Sequence, residues 1–305
     1  MNIKITKNIE EANLITHDSK FHPDDVFSTM FLSKLIENPI VYRASVKDVP
    51  ASSTAIIYDI GFGEFDHHGP NARYRENSKI KYCSFGLLWE KYGREYLKKI
   101  NTLDVEKLYH KIEENLVKQI DGIDNGLFPK IDADYKLLDL DKIIDMFNNT
   151  WDEETDNNEN FKEAVNIAEI IFDHLIKKEN ATIKASKLVE ENIDKVKDNI
   201  LILDTYMPYS EAIFNSKKEI AKNIKIVILP SNRGGYNIKP MTINEQSKEL
   251  VVNFPKSYRG LHDEELAKIS NIETARFVHA TGFLACAETL DDAIKLAHKA
   301  LENKE

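Results

Sequence analysis

Apolar and polar residues follow two different periods along the first 130 positions. Short β-prone apolar runs are separated by longer segments in which apolar residues recur at the spacing of an amphipathic helix. The predicted strands cover 12–16, 40–44 and 55–60, and the predicted helices run from Asp24, over 85–99 and over 105–120. Strands that alternate with helices are typical of βαβ units around a mostly parallel sheet. Such sheets bind ligands in the loops at the carboxyl ends of their strands, so we expect the functional residues there.

The rest of the chain predicts a helical segment and then a second α/β unit. Residues 137–197 are acidic and follow helical spacing almost throughout, with a polar turn at WDEETDNNEN, so we interpret them as scaffold or cover. Later runs predict strands over 200–203, 224–229, 236–240 and 276–279 and a helix over 290–301. The predicted fold is α/β, with a doubly wound, mostly parallel sheet in a first domain over residues 1–190. A second, smaller α/β domain is expected over residues 191–305.

Composition agrees with two folded domains and excludes several classes of protein. The chain has 305 residues, of which 42% are hydrophobic and 30% charged, so domains of roughly 150 residues can each build a core. No apolar run approaches the ~18 residues of a membrane-spanning helix, and the first residues lack a signal peptide's apolar segment. We therefore expect a cytoplasmic protein that does not bind membranes and that is able to form homo-oligomers.

Charge and cysteine content restrict the chemistry. The net charge is -10, and most of the acidic excess lies within residues 131–230. A broad basic surface for duplex nucleic acid is therefore not expected, although a short strand or a single phosphate does not need one. Only Cys83 and Cys286 are present, which excludes a disulfide framework and a thiolate zinc site. Any metal must use histidine and carboxylate ligands.

Histidines and aspartates recur at the predicted strand ends of the first domain. They are His17, His22, Asp24, Asp25, Asp59, Asp66, His67, His68, Asp121 and Asp124. Burying several carboxylates together is costly unless divalent cations compensate their charge, and two cations bridged by one aspartate would do so. Mixed imidazole and carboxylate ligands suit Mn²⁺ best, with Mg²⁺, Fe²⁺ or Zn²⁺ as alternatives. Paired cations of this kind support phosphoester hydrolysis.

A purely structural interpretation stands beside this one. Asp121 and Asp124 each lie next to a glycine or an Asn-Gly pair, where an aspartate commonly forms a turn or a helix cap. The adjacent His67 and His68 are harder to explain structurally, because consecutive side chains of an extended segment point to opposite faces. Four aromatic residues are predicted to pack in the core rather than to stack on a base: Trp89, Tyr92, Tyr96 and Trp151.

Three segments of the chain resemble a known family. They are THDSKFHPDD, YDIGFGEFDHHG and QIDGIDNG, and they resemble the signature elements of the Myg (melanocyte proliferating gene) family, a branch of the DHH phosphoesterase superfamily. Further segments that resemble this family are 149–172, MPYSEAIF, GGYNIKP, SYRGLHDEEL and FVHATGF, so the likeness covers nearly the whole chain. The resemblance implies a DHH-like fold with two divalent metal ions. Mn²⁺ is the expected metal, and Mg²⁺ is the alternative.

The resemblance also implies roles for individual residues. His17, His22 and Asp24 would lie in the first metal-binding motif, Asp59 would bridge the metals, His67 would belong to the motif that names the superfamily, and Asp121 or Asp124 would be the last ligand. Family members tend to have Cys-Asp-Glu where this chain has Pro23-Asp24-Asp25. Which of His22, Asp24 and Asp25 bind metal therefore stays open.

Candidate substrate contacts come from both domains. The first candidate is His68, the last residue of the DHH motif. A basic run follows it and contains Arg73, Arg75, Lys79 and Lys81, which would suit a nucleic-acid backbone. The structural alternative for this run is a solvated loop. In the second domain, Arg233, Gly234 and Gly235 suit an anion that approaches backbone amides and a guanidinium. Arg259 and His279 are candidates by resemblance, with a surface salt bridge and a strand-end histidine as their structural alternatives.

We expect a metal-dependent phosphoesterase with its active site in a cleft between the two domains. The resemblance further implies 3′-to-5′ exonuclease action on RNA or single-stranded DNA. His67 or His68 would stabilise charge or protonate the leaving oxygen, with Asp59 as the bridging carboxylate. Overall acidity favours a second hypothesis, in which the substrates are small phosphoesters or short oligonucleotides. A third hypothesis is a non-catalytic protein that binds metal or a nucleotide without turnover.

Overall fold

The chain divides into two units that each contain their own sheet. The structure is a computed structural model and describes residues 3–70, 72–154 and 156–304. The first unit is Met1–Asn180 and the second is Ala181–Glu305. The catalytic and substrate-binding roles that the sequence assigns to the two domains stay predictions. No helix in the described ranges combines the length and the apolar character that crossing a membrane requires.

The sheet of the first unit has four strands, all parallel, in the order β1-β3-β2-β4. The strands are β1 (Lys4–Ile5), β2 (Leu14–His17), β3 (Ile40–Ala44) and β4 (Ile56–Ile57). This parallel arrangement confirms the predicted α/β fold. The sequence does not reveal β1, because two residues carry no periodic signal. The last strand is shorter than the predicted 55–60, since the chain turns at Asp59.

Six helices accompany this sheet in the described part of the first unit. They are α1 (Pro23–Ser33), α2 (Ser84–Lys99), α3 (Val105–Ile112), α4 (Lys118–Asp124), α5 (Leu140–Asp145) and α6 (Asn157–Asn192), the last of which continues past residue 180. One π-helical turn, Glu113–Val117, joins α3 to α4, so the predicted helix over 105–120 extends to Asp124. The aromatic rings of Phe31, Trp89 and Phe172 pack together and are fully buried.

One aromatic prediction is wrong. The described residues between α5 and α6 form turns and loop, in agreement with the polar turn predicted in WDEETDNNEN, and α6 begins within that segment at Asn157. Trp151 lies in this stretch with 97% of its surface exposed, so it does not pack in the core. The packing prediction failed because Trp151 opens this polar turn and has no helical face on which to pack. The prediction for Trp89 and Tyr96 is confirmed, since both are buried.

The second unit contains a mixed sheet of five strands in the order β5-β6-β7-β9-β8. The strands are β5 (Ile200–Ile202), β6 (Ile226–Pro230), β7 (Tyr236–Pro240), β8 (Ala275–Val278) and β9 (Ala285–Ala287), and the helices are α7 (Ser210–Phe214), α8 (Asp263–Ser270) and α9 (Leu290–Glu302). Only β5 and β6 pair in parallel. Leu296 and Ala300 on α9 share a buried core with Ile226 and Ile238 of the sheet.

Candidate metal centre

The register of the parallel sheet places His17 beside Asp59. Ile15 of β2 pairs with Ile57 of β4. Two residues after each of them come His17, the last residue of β2, and Asp59, so these two residues lie side by side. Asp59 has a φ of +57°, a left-handed conformation that aspartate tolerates better than most residues. Its backbone amide donates to the carbonyl of Phe65 at 2.9 Å, which folds the following turn back over the strand end. The turn thereby brings the Asp66-His67-His68 segment to the same edge of the sheet.

Asp59 uses its two carboxylate oxygens in opposite directions. Its Oδ2 lies 3.2 Å from Nε2 of His17, and its Oδ1 lies 3.2 Å from Nε2 of His67. Asp25 Oδ2 is 3.4 Å from the same nitrogen of His17. Asp124 Oδ2 is 3.3 Å from the same nitrogen of His67. One bridging carboxylate therefore connects two clusters of potential metal ligands.

Three groups of potential ligands are found among the described residues. In each group the ligand atoms lie within 4.8 Å of one another, and the groups are His17 with Asp25 and Asp59, Asp24 with His67 and Asp124, and Asp59 with His67 and His68. We call the first two groups the His17 group and the His67 group. Both are composed of imidazole nitrogens and carboxylate oxygens, the donor set that suits Mn²⁺ or Mg²⁺ rather than a thiolate-preferring metal.

The start of α1 supplies two adjacent carboxylates. His22 precedes the helix with extended backbone, and Pro23 occupies the first helical position, where its missing N–H leaves no helical bond unmade. The His22 amide donates to Asp25 Oδ1 at 2.8 Å, and the Ser84 hydroxyl donates to Asp24 Oδ2 at 3.0 Å. The remaining oxygens, Asp24 Oδ1 and Asp25 Oδ2, are buried without a hydrogen-bond partner. These two oxygens are available to cations.

Protein groups compensate the buried negative charge only in part. Burial and the neighbouring carboxylates of Asp59, Asp124 and Asp25 raise the pKa of Asp24 well above its usual range. Burial also raises the pKa of Asp25 to about 7. Such raised values mean that the site lacks positive charge, because each additional carboxylate makes the next one harder to ionise. Bound divalent cations would supply that charge.

His17 and Asp59 stabilise each other's charged forms. Burial by itself lowers the pKa of His17, but the hydrogen bond to Asp59 and the charges of Asp25 and Asp59 raise it to about 9. Burial by itself raises the pKa of Asp59, but hydrogen bonds from His17 and His67 hold it below the usual range. The protonated imidazole of His17 thus takes part of the positive role that metal ions would have.

Asp66 orients His68 and does not join the metal groups. Its Oδ1 lies 2.8 Å from His68 Nδ1 and accepts from the His68 amide at 3.0 Å, while its Oδ2 accepts from the Phe62 amide at 2.6 Å. The hydrogen bond to Asp66 raises the pKa of His68, despite a smaller opposing effect of burial. His68 is half exposed and leaves Nε2 as its unengaged ring nitrogen. It is therefore suited to meet a substrate.

Asp121 lies in a separate ion-pair cluster. Its carboxylate accepts from the Cys83 amide at 2.9 Å and from Arg75 Nε at 2.5 Å, and Arg75 Nη1 also donates to Glu113 at 2.9 Å. Gly86 is required here, because a Cβ at that position would lie 2.2 Å from Asp121 Oδ1. Of the two aspartates that the sequence leaves open as the last ligand, the structure brings Asp124 into the cluster of ligands and Asp121 into this ion pair.

Other predicted residues lie outside the three groups. The ring of His22 is 5.8 Å from the ring of His17, and both line the cavity described below. Arg75 is buried in its ion pairs, and Arg73 is exposed and paired with Glu90 at 2.7 Å. Neither arginine lines that cavity. The basic run thus serves mainly to hold the loop, except for Lys81.

The predicted substrate residues of the second unit belong to turns. Gly234 and Gly235 have φ values of +83° and +69°, and a Cβ on Gly235 would lie 2.4 Å from the Ala287 carbonyl oxygen. The Arg233 amide donates to Ser231 Oγ. Arg259 Nε donates to the Phe254 carbonyl at 2.9 Å, and His279 Nδ1 lies 2.9 Å from Thr281 Oγ1. These contacts explain the residues structurally, and their contact with substrate stays a prediction.

A cavity of about 890 Å³ opens above the metal ligands in the first unit. Besides the ligands, its lining includes Lys20, Phe62, Lys81, Phe128 and Asp141. Sequence reasoning did not identify Lys20, Phe62, Phe128 or Asp141 as site residues, and it left Asp25 open. The sequence does contain a signal that could have identified Phe62 as a site residue. It is a large apolar residue between two glycines in a polar loop, where it has no core position to fill.

The chain is similar to several known proteins. The family model MYG1_exonuc, described as Uncharacterised protein family (UPF0160), matches residues 13–301. The MYG1 protein of Dictyostelium discoideum is 28% identical over 96% of this chain and 97% of its own length. The MYG1 exonuclease of Homo sapiens is 25% identical over 95% and 85% of the two chains. A solved structure, the pGpG-specific phosphodiesterase PggH from Vibrio cholerae, aligns over 95% and 97% with 16% identity and a TM-score of 0.34.

Proposed function

The chain belongs to the MYG1 family, and on that premise we propose that it is a metal-dependent phosphodiesterase that removes nucleotides from the 3′ end of RNA or single-stranded DNA. Membership confirms the family resemblance predicted from the sequence. Mammalian relatives carry the name exonuclease, which supports an enzyme that hydrolyses phosphodiester bonds. The observation that carries the proposal is Asp59, whose two oxygens face His17 and His67 at 3.2 Å each.

Two divalent cations fit the ligand groups. His17 and Asp25 would hold one cation, Asp24, His67 and Asp124 would hold the other, and Asp59 would contact both. The buried oxygens without hydrogen bonds, Asp24 Oδ1, Asp25 Oδ2 and Asp124 Oδ2, match what such cations require. Cations held by these residues would supply an activated water molecule and compensate charge on the phosphoryl oxygens. We propose Mn²⁺ because the donors mix imidazole with carboxylate, and Mg²⁺ as the alternative.

The residues of the chain provide orientation and proton transfer. Asp66 fixes the ring of His68 through Nδ1, so the other ring nitrogen is free to donate a proton to the leaving oxygen of the scissile phosphodiester. The hydrogen bond to Asp66 raises the pKa of His68, which favours the protonated ring that this role requires. Lys20 and Lys81 line the cavity and would contact substrate phosphates.

A second candidate function is the hydrolysis of short oligonucleotides. Apart from histidines, the cationic side chains among the described residues that line the cavity are Lys20 and Lys81. Lys20 is itself paired with Asp145 at 2.7 Å. A long strand needs a longer basic path along its backbone than these two lysines provide.

A location in the cytoplasm and assembly into a homo-oligomer also stay predictions.

The direct test uses single-stranded RNA labelled at its 5′ end. Metal-stripped protein supplied with Mn²⁺ is expected to release mononucleotides from the 3′ end and to leave a ladder of shortened labelled products. Asp59→Asn removes charge from both ligand groups, and we expect activity to fall at least about a hundredfold. Asp134→Asn, an exposed aspartate, is the matched control and is expected to retain activity.

Three outcomes decide between the hypotheses. Equal activity of Asp59→Asn and wild type would contradict the proposal. Cleavage of dinucleotides with no digestion of the long strand would favour the second candidate. Metal binding without hydrolysis of either substrate would favour the non-catalytic hypothesis.

A further inference from the structure

Two exposed phenylalanines line the cavity above the metal ligands. Phe62 is 69% exposed and Phe128 is 60% exposed, although exposing a large apolar ring to water is unfavourable. Phe62 lies in the turn that begins at Asp59, and Phe128 lies in the loop that follows Asp124. Each ring is therefore carried by a segment that also supplies a metal ligand. This placement couples the positions of the rings to those of the ligands.

The backbone of Phe62 is fixed in an unfavourable conformation. Its φ of +58° is rare for a bulky residue, and strained residues of this kind are concentrated at ligand-binding sites. Its amide donates to Asp66 Oδ2 at 2.6 Å. Its ring edge lies against Gly69, where an added Cβ would be 3.4 Å from Phe62 Cδ1. Asp66 thus fixes the backbone that carries this aromatic ring and the ring of His68 itself.

The chemistry around these rings is that of a nucleotide site. Carboxylate and imidazole groups suited to two cations form the floor of the cavity, and Lys20 and Lys81 add cationic side chains to its wall. Phosphates are recognised by cations, and the flat faces of bases stack on aromatic side chains with little dependence on sequence. A sugar phosphate without a base has no group that would use the exposed rings.

We propose that Phe62 and Phe128 are a base-stacking platform that selects base-bearing oligonucleotides at this site. The proposal rests on the proposed phosphodiesterase function and specifies its substrate class. The rings act on binding of the bases that flank the scissile phosphodiester. Losing one ring is expected to raise KM for a dinucleotide about tenfold with little change in kcat, because one stacking contact is lost while the metal ligands remain in place.

The test compares Phe62→Leu and Phe128→Leu with wild type. Leucine keeps an apolar side chain and the same backbone demands but removes the ring face. Tyr135→Leu is the matched control, because Tyr135 is 71% exposed and does not line the cavity. Phe62→Tyr restores a ring and is expected to restore KM. The substrates are a natural dinucleotide and the same dinucleotide with its bases removed.

A binding measurement that does not depend on turnover accompanies the kinetics. A dinucleotide that carries 2-aminopurine loses fluorescence when its base stacks on an aromatic ring. With Ca²⁺ as the added cation, we expect quenching by wild type and by Tyr135→Leu, and weaker quenching by each leucine variant of the platform. The ratio of kcat/KM for the natural over the base-free dinucleotide is expected to fall about tenfold in those variants.

The failures of the two proposals are distinguishable. Equal quenching by all variants, or equal kcat/KM for the natural and base-free dinucleotides in wild type, would overturn the platform while leaving the hydrolase intact. Quenching that depends on Phe62 and Phe128 without hydrolysis of either dinucleotide would support the platform and refute the proposed function.

Discussion

Two clusters of buried carboxylates in the first unit are neutralised in different ways. Around Arg75, the carboxylates of Asp121 and Glu113 receive hydrogen bonds from one guanidinium, whose charge opposes the rise that burial causes in the pKa of Asp121. Around Asp59, several carboxylates share two imidazoles, and some of their oxygens have no hydrogen-bond partner. A fold that buries carboxylates with their own cation is destabilised when that cation is removed, whereas buried carboxylates without one are suited to cations from solution.

The two clusters also lie on connected elements. Asp121 and Asp124 both belong to α4 and lie one turn apart. Asp121 accepts from the amide of Cys83, and Asp124 faces His67. The neighbouring Ser84 begins α2 and donates to Asp24. The ion-pair cluster therefore holds in place the helix start that positions Asp24, one of the potential metal ligands. Variants of each cluster are expected to have different consequences.

The largest effect is expected from Arg75→Met. This change leaves Asp121 buried without its cation and should lower the free energy of unfolding by about 3–5 kcal/mol. Urea denaturation with and without Mn²⁺ measures it, and added metal should not restore the loss. Arg73→Met is the matched control, because its ion pair with Glu90 is exposed and contributes about 0–1 kcal/mol. A similar loss in both variants would show that the Arg75 cluster is not a structural ion pair.

A smaller effect is expected from Ser84→Ala. The variant loses the hydroxyl that donates to Asp24 Oδ2 at 3.0 Å, and residues that orient a ligand typically change metal affinity about 10–100-fold. Calorimetric titration of the metal-stripped variant with Mn²⁺ measures this change. Ser270→Ala removes a buried hydroxyl from the second unit and should leave Mn²⁺ affinity as in wild type. Unchanged affinity in Ser84→Ala would remove Ser84 from the support of Asp24.

The smallest effect on the free energy of unfolding is expected from Asp24→Asn in metal-free protein. The sign of this effect distinguishes the cluster around Asp59 from the cluster around Arg75. Removing one of the repelling carboxylates should stabilise the metal-free fold by about 0.5–2 kcal/mol, while stabilisation by Mn²⁺ decreases. Asp121→Asn should have the opposite sign, because it removes a partner from Arg75. Thermal unfolding with and without metal measures both variants. Destabilisation by both substitutions would contradict the distinction between the clusters.

Sequence reasoning was most successful where periodicity and spacing carry the information. The strand over 40–44, the helix over 85–99 and the association of His17, Asp59 and His67 all follow from patterns that extend over several residues. Long-range partners are not visible in such patterns. Arg75 looks like a solvated basic residue in the sequence, because Asp121 and Glu113 approach it only after the chain folds. Phe62 faces the site because of a left-handed turn that no periodicity reports.

The central claim is that Asp59 connects two cation sites. Electron paramagnetic resonance of the metal-stripped protein during titration with Mn²⁺ tests it most directly, because two manganese ions that share a carboxylate are magnetically coupled. We expect two Mn²⁺ per chain at saturation, a coupled spectrum in wild type and in Ser270→Ala, and loss of the coupling in Asp59→Asn. Binding of at most one Mn²⁺ per chain, or of two ions with uncoupled spectra in wild type, would contradict the bridged site.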